Sequence, residues 1–281
     1  MINKFCNEYL EGITPNPCMD CNLYIRSVDL LDKVLGMGFD YLATGHYIIR
    51  DFDEKKQEYI LKKGLDPSKD QSYFLYQLDQ EKLKHLLFPL GELRKKEVRE
   101  IAESFGLKIA SKEESQDICF ITDGSYDKFI EDYKKVQGNN TAIYHVDGSY
   151  LGEGKPIYAY TIGQRKGLGI AYARPLYVVD IDGKKNRIIV GDKEDTVAKG
   201  LIALDNFFIS KAPPKEGDLV YVKVRYRSQP TLARFFKEAK GFRLEFLETT
   251  TAVTKGQSAV IYSQEEPDLL LGGGRITEVL K

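Results

Sequence analysis

The residues best suited to chemistry in this sequence are cysteines, two of which stand close together in the stretch PNPCMDCN. Cys18 and Cys21 have the spacing of a metal hook or of a redox pair. A zinc site needs four ligands, and the other two cysteines and three histidines stand at no recognisable zinc spacing. Prolines precede the pair where a redox motif would follow a strand. Both interpretations are therefore weak.

A third interpretation rests on the position of Cys21. It stands just before Asn22 and a run with helical spacing, and the dipole and free N–H groups of a helix start favour a thiolate. A half-buried structural cysteine in a turn remains an alternative. Cys119, in KEESQDICFITDG, is on its own more typical of a core residue. It gains interest because thiol chemistry that moves sulfur needs one cysteine to carry and one to resolve.

Several polar stretches are candidate binding elements. Gly45-His46, in ATGHY, lies near the carboxyl end of a predicted strand, the edge at which open α/β sheets bind ligands. Lys69-Asp70-Gln71 precedes the aromatic run SYFLYQL and is either a polar helix cap or a nucleic-acid contact. GQRKGLGI is either a hairpin turn or a basic loop for phosphates. VKVRYRSQ predicts a strand with Arg225 and Arg227 on one face and Tyr226 on the other.

Composition limits the class of protein. The 281 residues, 42% hydrophobic and 30% charged, are typical of a globular protein of two or three domains. No apolar run approaches the roughly 20 residues that a membrane span needs, and the first residues lack the apolar core of a secretory signal. Four cysteines are too few for a disulfide scaffold. We therefore expect a reducing, cytoplasmic setting and no membrane partner.

Charge is unevenly distributed along the chain. The net charge of −1 argues against a protein that coats nucleic acid. The segment from Lys199 to Arg243, however, contains ten Lys or Arg residues and only four Asp or Glu residues. This excess is compatible with a local phosphate-binding face or with a solvated strand surface.

The element pattern divides the chain into unlike halves. The first 135 or so residues predict mixed α/β structure: an opening helix, a helix in NLYIRSVDLLDKVLGMGFD, strands in YLATGHYIIR and KKQEYILKKG, and helices in QEKLKHLLF and RKKEVREIAESFG. This order favours one face of a parallel, doubly wound sheet. From about Gly138, alternating segments such as TAIYHV, LYVVDI and SAVIYS predict a small β unit and then a barrel. LGGGR is a turn or bulge between strands.

Taken together, these strings resemble the bacterial and organellar tRNA-uridine 2-sulfurtransferases (tRNA-specific 2-thiouridylases of the MnmA/TrmU type). The matching stretches occur in the family's order and cover nearly the whole chain: EYLEGITPNPCMDCN, YLATGHY, KDQSYFLYQL, FPLGELRKKEVREIA, SQDICFI, YTIGQRKGLGI, VKVRYR, GQSAVIY and LGGGRI. The resemblance implies a Rossmann-like catalytic domain of the ATP-pyrophosphatase (HUP) type over residues 1–124. A central small β-rich domain (125–195) and a carboxyl-terminal β-barrel (196–281) follow.

The resemblance also implies the reaction and its participants. ATP, with Mg²⁺ as its counter-ion, adenylates the 2-oxo group of the wobble uridine in tRNA, and a protein persulfide then replaces the activated oxygen. A cysteine desulfurase or a relay protein is the expected sulfur donor. Cys119 is the expected persulfide carrier and Cys21 the second catalytic cysteine, and the two are expected to approach and to close a disulfide during turnover. No bound metal is expected.

The remaining site residues follow from the same resemblance. The family sometimes has aspartate at the position of Cys18, which argues against Cys18 as the essential thiol. Asn16, Pro17 and Cys18 are instead expected to line the target base, and Gly45 to contact ATP. The expected tRNA contacts are His46, Lys69, Asp70, Gln71, Arg225, Tyr226 and Gln257.

One feature of the family is absent from the sequence. The family begins with a strand and a serine- and glycine-rich loop of the SGGxDS type that holds the ATP phosphates, and this sequence starts after that point. We therefore expect a truncated catalytic domain that binds ATP poorly and does not thiolate alone. The alternative is a non-catalytic, tRNA-binding remnant of such an enzyme.

Overall fold

The helices lie in the first half of the chain. The computed structural model describes residues 1–107, 118–122, 125–251 and 253–281. These residues form six α-helices: α1 (Ile2–Leu10), α2 (Pro17–Asp20), α3 (Leu31–Gly36), α4 (Gln80–His85), α5 (Lys95–Ser104) and α6 (Tyr126–Lys134). A π-helical segment, Cys21–Leu30, connects α2 to α3. Short 3₁₀ turns occur at Ser72–Phe74, Ile157–Ala159, Gly183–Lys185 and Glu194–Thr196.

The described strands form three sheets. They are β1 (Leu42–Ala43), β2 (Ile48–Asp53), β3 (Glu58–Lys63), β4 (Leu86–Leu87), β5 (Thr141–His145), β6 (Tyr150–Gly154), β7 (Tyr177–Asp182), β8 (Arg187–Gly191), β9 (Val197–Phe208), β10 (Leu219–Lys223), β11 (Thr231–Glu238), β12 (Gly241–Thr251), β13 (Ser258–Ser263) and β14 (Leu269–Leu280). The alternating segments predicted from the sequence therefore do form strands.

The helix that carries the cysteine pair begins earlier than expected. Asn16 has extended backbone angles and caps the helix, and Pro17 occupies its first turn. Proline suits that position because the first-turn N–H groups have no partner within the helix. The helical backbone then continues through Cys21 and Leu31 to Gly36. Cys21 consequently lies one turn inside the helix, and the expectation that it stands at the helix start is wrong.

The α/β region contains less parallel sheet than the sequence predicts. Among the described residues, the parallel pairing of this region is that of β1 with β4, over Leu42↔Leu86 and Ala43↔Leu87. The helix expected over QEKLKHLLF ends at His85, because Leu86 is extended and pairs with β1. The strand predicted in KKQEYILKKG is β3, and it does not belong to a parallel sheet. It forms an antiparallel hairpin with β2 and pairs with β14 through Leu61↔Leu270.

The β half contains two separate sheets. The central sheet has the order β6-β5-β8-β7 and is antiparallel except for the parallel pair β5–β8. The last six strands form a closed barrel in the order β13-β10-β11-β12-β9-β14, which the β13–β14 pairing closes. LGGGR lies within β14, where the register shifts between Gly273 and Arg275, so it is a bulge in a strand.

Buried side chains join the three regions. Leu61, Tyr73 and Leu83 of the α/β region share one core with Val260 and Tyr262 of the barrel. Helix α1 packs through Phe5 and Tyr9 against Ile130 and Tyr158 of the central region. A search of the described ranges found no helix that is long and apolar enough to cross a membrane.

Candidate functional site

Cys18 and Cys21 lie on neighbouring turns of one helix. The Asn16 side-chain oxygen accepts a hydrogen bond from the Cys18 backbone N–H at 3.2 Å, which fixes the first turn. Residues three apart in a helix lie on the same face. The two thiols therefore project from the same side of the chain, with Cys18 nearer the helix start.

The barrel holds the segment that leads into this helix. The Gln257 amide nitrogen donates to the Thr14 and Pro15 carbonyl oxygens at 3.1 and 3.2 Å. The Thr14 backbone N–H donates to the Lys255 carbonyl oxygen. Gln257, an expected tRNA contact, thus binds the protein backbone just before Asn16. Its contact with tRNA stays a prediction.

Asn16 and Pro17 border a cavity of about 320 Å³ between α1, α2 and the barrel. Its wall includes the ion pair of Glu8 with Arg275, 2.8 Å long. The volume falls in the range of small-ligand pockets, roughly 300–1,000 Å³. Neither thiol of the pair belongs to the cavity wall. Asn16 and Pro17 therefore adjoin space for a ligand, whereas Cys18 faces elsewhere.

Cys119 lies in an exposed turn that packs against α1. The Ile121 N–H donates to the Ile118 carbonyl oxygen and closes the turn. The Phe120 ring meets the Phe5 ring edge-on, with 5.3 Å between centroids. The Cys119 side chain is exposed. Glu113, Glu114 and Asp117, the carboxylates that precede it in the sequence, lie outside the described residues.

Cys18, Cys21 and Cys119 form what we call the thiol cluster. Burial raises the pKa of Cys18, and the neighbouring thiols of Cys119 and Cys21 raise it further, while Arg26 opposes them. Cys18 is thus close enough to both other thiols to interact with them electrostatically. All the cysteines of the chain are free thiols. A raised pKa keeps Cys18 protonated and makes it the poorer nucleophile.

His46 is buried beside the cluster and binds Arg26. Its Nε2 lies 3.0 Å from Arg26 Nη1, and its Nδ1 lies 2.9 Å from the Thr44 hydroxyl oxygen. Burial, and next the Arg26 charge, lower the pKa of His46 to about 4. The ring is therefore neutral at pH 7; Arg26 donates to Nε2, and Nδ1–H donates to Thr44. With 4% of its surface exposed, His46 orients Arg26, and its contact with tRNA stays a prediction.

Gly45 occupies the predicted position at the carboxyl edge of β1 and is exposed. A Cβ added there would lie 3.7 Å from Leu90, an ordinary contact, so packing alone does not require glycine. The 281 residues contain no SGGxDS-type string. The contact of Gly45 with a nucleotide stays a prediction.

Lys69-Asp70-Gln71 forms internal contacts. The Asp70 carboxylate is buried and accepts from Gly64 N–H, Ser72 N–H and the Ser72 hydroxyl. The Gln71 side-chain oxygen accepts from Tyr47 N–H at 3.0 Å. Lys69 is partly exposed. Two members of this stretch therefore fix the chain between β3 and the Ser72–Phe74 turn, and the tRNA role of the stretch is untested.

The aromatic run after this stretch belongs to the barrel interface. The Tyr73 hydroxyl donates to the Ser258 carbonyl oxygen at 3.0 Å, and the Ser72 hydroxyl lies 2.8 Å from the Tyr262 hydroxyl. Sequence reasoning missed this role. A run of aromatic residues indicates that the side chains are buried but not what they pack against.

Arg225 and Tyr226 lie in a turn and not on opposite faces of a strand. Strand β10 ends at Lys223, and the Ser228 hydroxyl oxygen accepts from the Val224 and Arg225 N–H groups. These two hydrogen bonds hold the chain in a turn at the point where the sequence predicts that the strand continues. The Arg225 guanidinium donates to the Ile162 carbonyl oxygen at 2.9 Å and to the Thr254 hydroxyl. Tyr226 packs on Phe74, with ring centroids 4.5 Å apart.

The functional candidate that sequence reasoning missed is Arg26, which joins the thiol cluster to His46. Its position in a helical run gave no signal, because solvated arginines are common on helix faces. No group of three or more His, Cys, Asp or Glu side chains that could hold a metal occurs within the described ranges.

Comparison with known proteins covers the whole chain. Family models described as "tRNA methyl transferase HUP domain", "tRNA methyl transferase PRC-barrel domain" and "Aminomethyltransferase beta-barrel domain" match residues 1–123, 127–192 and 198–276. The chain is 45% identical to "tRNA-specific 2-thiouridylase MnmA 2" of Thermoanaerobacter sp. (strain X514), over 100% of this chain and 77% of that protein.

Two further relatives give the same picture. "tRNA-specific 2-thiouridylase MnmA 1" of Caldanaerobacter subterraneus subsp. tengcongensis is 46% identical over 100% of this chain and 77% of its own length. "tRNA-specific 2-thiouridylase MnmA" of Acetivibrio thermocellus is 43% identical over 98% of this chain and 76% of its own length. The predicted combination of a HUP-type α/β domain, a small β domain and a β-barrel is confirmed. The chain belongs to the tRNA-specific 2-thiouridylase (MnmA) family.

Proposed function

We propose that this protein acts in the 2-thiolation of tRNA, transferring persulfide sulfur to C2 of the wobble uridine. The observation that carries the proposal is the thiol cluster, in which an exposed Cys119 and a helical Cys21 both lie near Cys18. A carrier and a resolving thiol must approach one another, and the common neighbour Cys18 supports this for Cys21 and Cys119. Relatives across the whole chain bear the name of this activity.

Cys119 is the proposed persulfide carrier. Its exposed side chain allows a second protein, a cysteine desulfurase or a sulfur relay protein, to deliver sulfur to it. The terminal sulfur of Cys119–S–SH attacks C2 of the activated uridine. The activating group leaves with the former 2-oxygen, a proton is released, and a C2–S–S–Cys119 linkage forms.

Cys21 is the proposed resolving thiol. Its thiolate attacks Sγ of Cys119 and breaks the S–S bond, so the outer sulfur stays on the uridine as the 2-thio group. The products are 2-thiouridine and a Cys21–Cys119 disulfide, which an external thiol must reduce before the next turnover. Cys18, protonated because of its raised pKa, takes no covalent part. A reducing, cytoplasmic compartment suits this cycle.

ATP with Mg²⁺ is the proposed source of the activating group, leaving as AMP. Gly45 is the proposed contact to this nucleotide, at the carboxyl edge of β1. Because the 281 residues include no SGGxDS-type string, we expect a polypeptide of this sequence to thiolate only when such a loop is supplied to it. The target-base contacts proposed are Asn16, Pro17 and Cys18, and the further tRNA contacts are His46, Lys69, Asp70, Gln71, Arg225, Tyr226 and Gln257.

A second candidate function is tRNA binding without catalysis. The excess of Lys and Arg between Lys199 and Arg243 favours it, because a basic face can bind an RNA backbone without chemistry. The two candidates differ in the fate of Cys119, since a binding protein has no need to accept sulfur. Sulfur loading of Cys119 therefore distinguishes the two candidates, and this measurement needs no ATP.

The test is persulfide loading with ³⁵S-cysteine and a cysteine desulfurase. We expect label that a reductant releases on the wild type, on Cys21→Ser and on the matched control Cys18→Ser, and none on Cys119→Ser. In a second arm, a polypeptide carrying the SGGxDS loop, ATP and Mg²⁺ are added with a tRNA transcript. The wild type should then form 2-thiouridine, whereas Cys21→Ser should not. Label that persists on Cys119→Ser would overturn the assignment of the carrier, and salt-dependent binding without loading would favour the second candidate.

A further inference from the structure

The glycine-rich stretch of the central region, residues 163–174, has a conformation fixed by its own contacts; we call it the basic loop. The Gln164 side chain accepts from Thr161 N–H and donates to the Lys166 carbonyl oxygen, both at 3.0 Å. The Gly163 N–H donates to the Val178 carbonyl oxygen, and the Val178 N–H donates to the Gln164 carbonyl oxygen. The loop is thereby fastened to β7 at its start.

Burial of one leucine leaves two cations at the surface. Leu168 is 5% exposed and inserts into the core of the central sheet. Arg165 and Lys166, just before it, are exposed. Neither makes an ion pair with a carboxylate in the described part of the chain. Two exposed cations with no carboxylate partner among the described residues attract an anion from solution.

The basic loop also surrounds a cavity of about 450 Å³. The part of the wall that described residues form contains Arg165 and Arg174 and no acidic residue. Arg174 is anchored by an ion pair with Asp192 at 2.7 Å. Tyr172 lines the cavity with 43% of its surface exposed, while its ring stacks on His145 at 5.6 Å and an interplanar angle of 22°. A ring supported on one face offers the other to a flat ligand.

The loop is continuous with the barrel turn that carries Arg225. The Ile162 carbonyl oxygen, immediately before the loop, accepts from Arg225 at 2.9 Å. Three residues of extended chain span at most about 11 Å. Arg165 therefore lies within roughly that distance of Ile162, at the junction of the central region with the barrel.

We propose that the basic loop is a second RNA-binding subsite, in which Arg165 and Lys166 bind backbone phosphates and Tyr172 stacks on an unpaired base. The inference rests on the proposed tRNA substrate and adds a surface distinct from the thiol cluster and from the Asn16-Pro17 cavity. RNA is the ligand that combines anionic groups with exposed aromatic bases, and Arg and Tyr are the side chains that bind the two. An acidic peptide would use the cations but leave the Tyr172 ring without a role.

Binding of a tRNA transcript tests the phosphate contacts. Arg165→Ala/Lys166→Ala should weaken binding about tenfold at moderate salt, and the slope of log affinity against log salt should fall by about two units. Lys184→Ala/Lys185→Ala is the matched control, because these exposed lysines lie in another turn of the same region. It removes the same charge and should leave affinity and slope near wild type. Equal losses in the two double variants would overturn the subsite.

Substitution of the ring tests the stacking. Tyr172→Ala should weaken tRNA binding at every salt concentration without changing the slope. Tyr172→Phe should bind tRNA as tightly as the wild type, because stacking needs the ring and not the hydroxyl. Weaker binding in both variants, or in neither, would contradict the stacking role. If the wild type binds no tRNA, the proposed function fails with the subsite; if it binds but the Arg165/Lys166 variant matches it, only the subsite fails.

Discussion

Burial lowers the pKa of His46 and raises the pKa of Cys18, so each is held more firmly in its neutral form than an exposed side chain would be. His46 is neutral at pH 7 and accepts from Arg26. Cys18 is a protonated thiol. The Arg26 charge opposes the rise in the pKa of Cys18 but does not outweigh the effect of burial.

The lowered pKa of His46 predicts a loss of stability in acid. The pKa is about 4 in the folded protein and about 6.5 in the unfolded chain. As the pH falls, the unfolded state therefore binds the proton first. The stability that neutral His46 contributes to the folded state is complete above pH 6.5 and is lost as the pH falls towards 4. The shift corresponds to roughly 3 kcal/mol.

Urea unfolding at pH 7.5 and 4.5 measures this effect. The free energy of unfolding of the wild type should fall more between these pH values than that of His46→Gln, which carries no titrating ring. The difference between the two proteins removes the contribution of carboxylates common to both. Parallel pH curves would show that His46 does not titrate in this range on unfolding.

For single residues, the sequence predicted the place in the fold better than it predicted burial and contacts. Gly45 follows a strand end as expected, and Cys119 comes near the cysteine pair. The burial of His46 could not be predicted, because it depends on Arg26 and Phe88, which approach only after the helix and β4 pack beside β1.

Among the elements, the turn before β13 positions the segment that leads into α2. Gly256 has φ +92°, and an added Cβ would lie 2.4 Å from Ile13 Cγ2 and 2.7 Å from the Thr14 carbonyl oxygen. Only glycine fits this close approach, and Gln257 then reaches the Thr14 and Pro15 carbonyl oxygens. The barrel thereby sets where α2 begins.

Gly256→Ala should destabilise the protein by about 2 kcal/mol or more, from backbone strain and overpacking together. Gly217→Ala is the matched control, because Gly217 has φ +86° but no atom within 4 Å of an added Cβ. It should cost about 1 kcal/mol, the backbone term alone. Denaturant unfolding of both variants measures the difference, and equal costs would mean that the Thr14 segment yields to the methyl group.

Two element boundaries show what local pattern leaves open. The signal for the start of α2 is present in PNPCMDCN, where Asn16 caps the helix and Pro17 occupies its first turn. The end of β10 at Lys223 depends on the Ser228 hydroxyl, and alternation in VKVRYR does not reveal that cap.

At the scale of the whole molecule, the α/β region and the barrel share buried hydrogen bonds. Tyr73 is 0% exposed; its hydroxyl donates to the Ser258 carbonyl oxygen and lies 3.3 Å from the Ser258 N–H. Tyr73→Phe should lower the free energy of unfolding by about 2 kcal/mol, because buried backbone groups lose their partner. Tyr24→Phe, at an exposed ring, should change it little. Similar values for the two variants would show that water replaces the Tyr73 hydroxyl.

The sequence predicted the succession of α/β region, small β region and barrel, because periodicity changes along the chain. It did not predict that β3 leaves the α/β region to pair with β14. Pairing between distant strands depends on which edges remain open after local folding, and alternation within KKQEYILKKG contains no information about the partner.

The pairing of β3 with β14 joins Leu61 to Leu270, which are far apart in the sequence. The ribosome completes the hairpin of β2 and β3 long before it has made β14, so the edge of β3 stays unpaired while the rest is translated. The core that contains Leu61 and Leu270 is therefore completed late in the protein's synthesis. Unpaired strand edges aggregate readily, and charged side chains such as Lys62 and Lys63 oppose that aggregation until β14 is available.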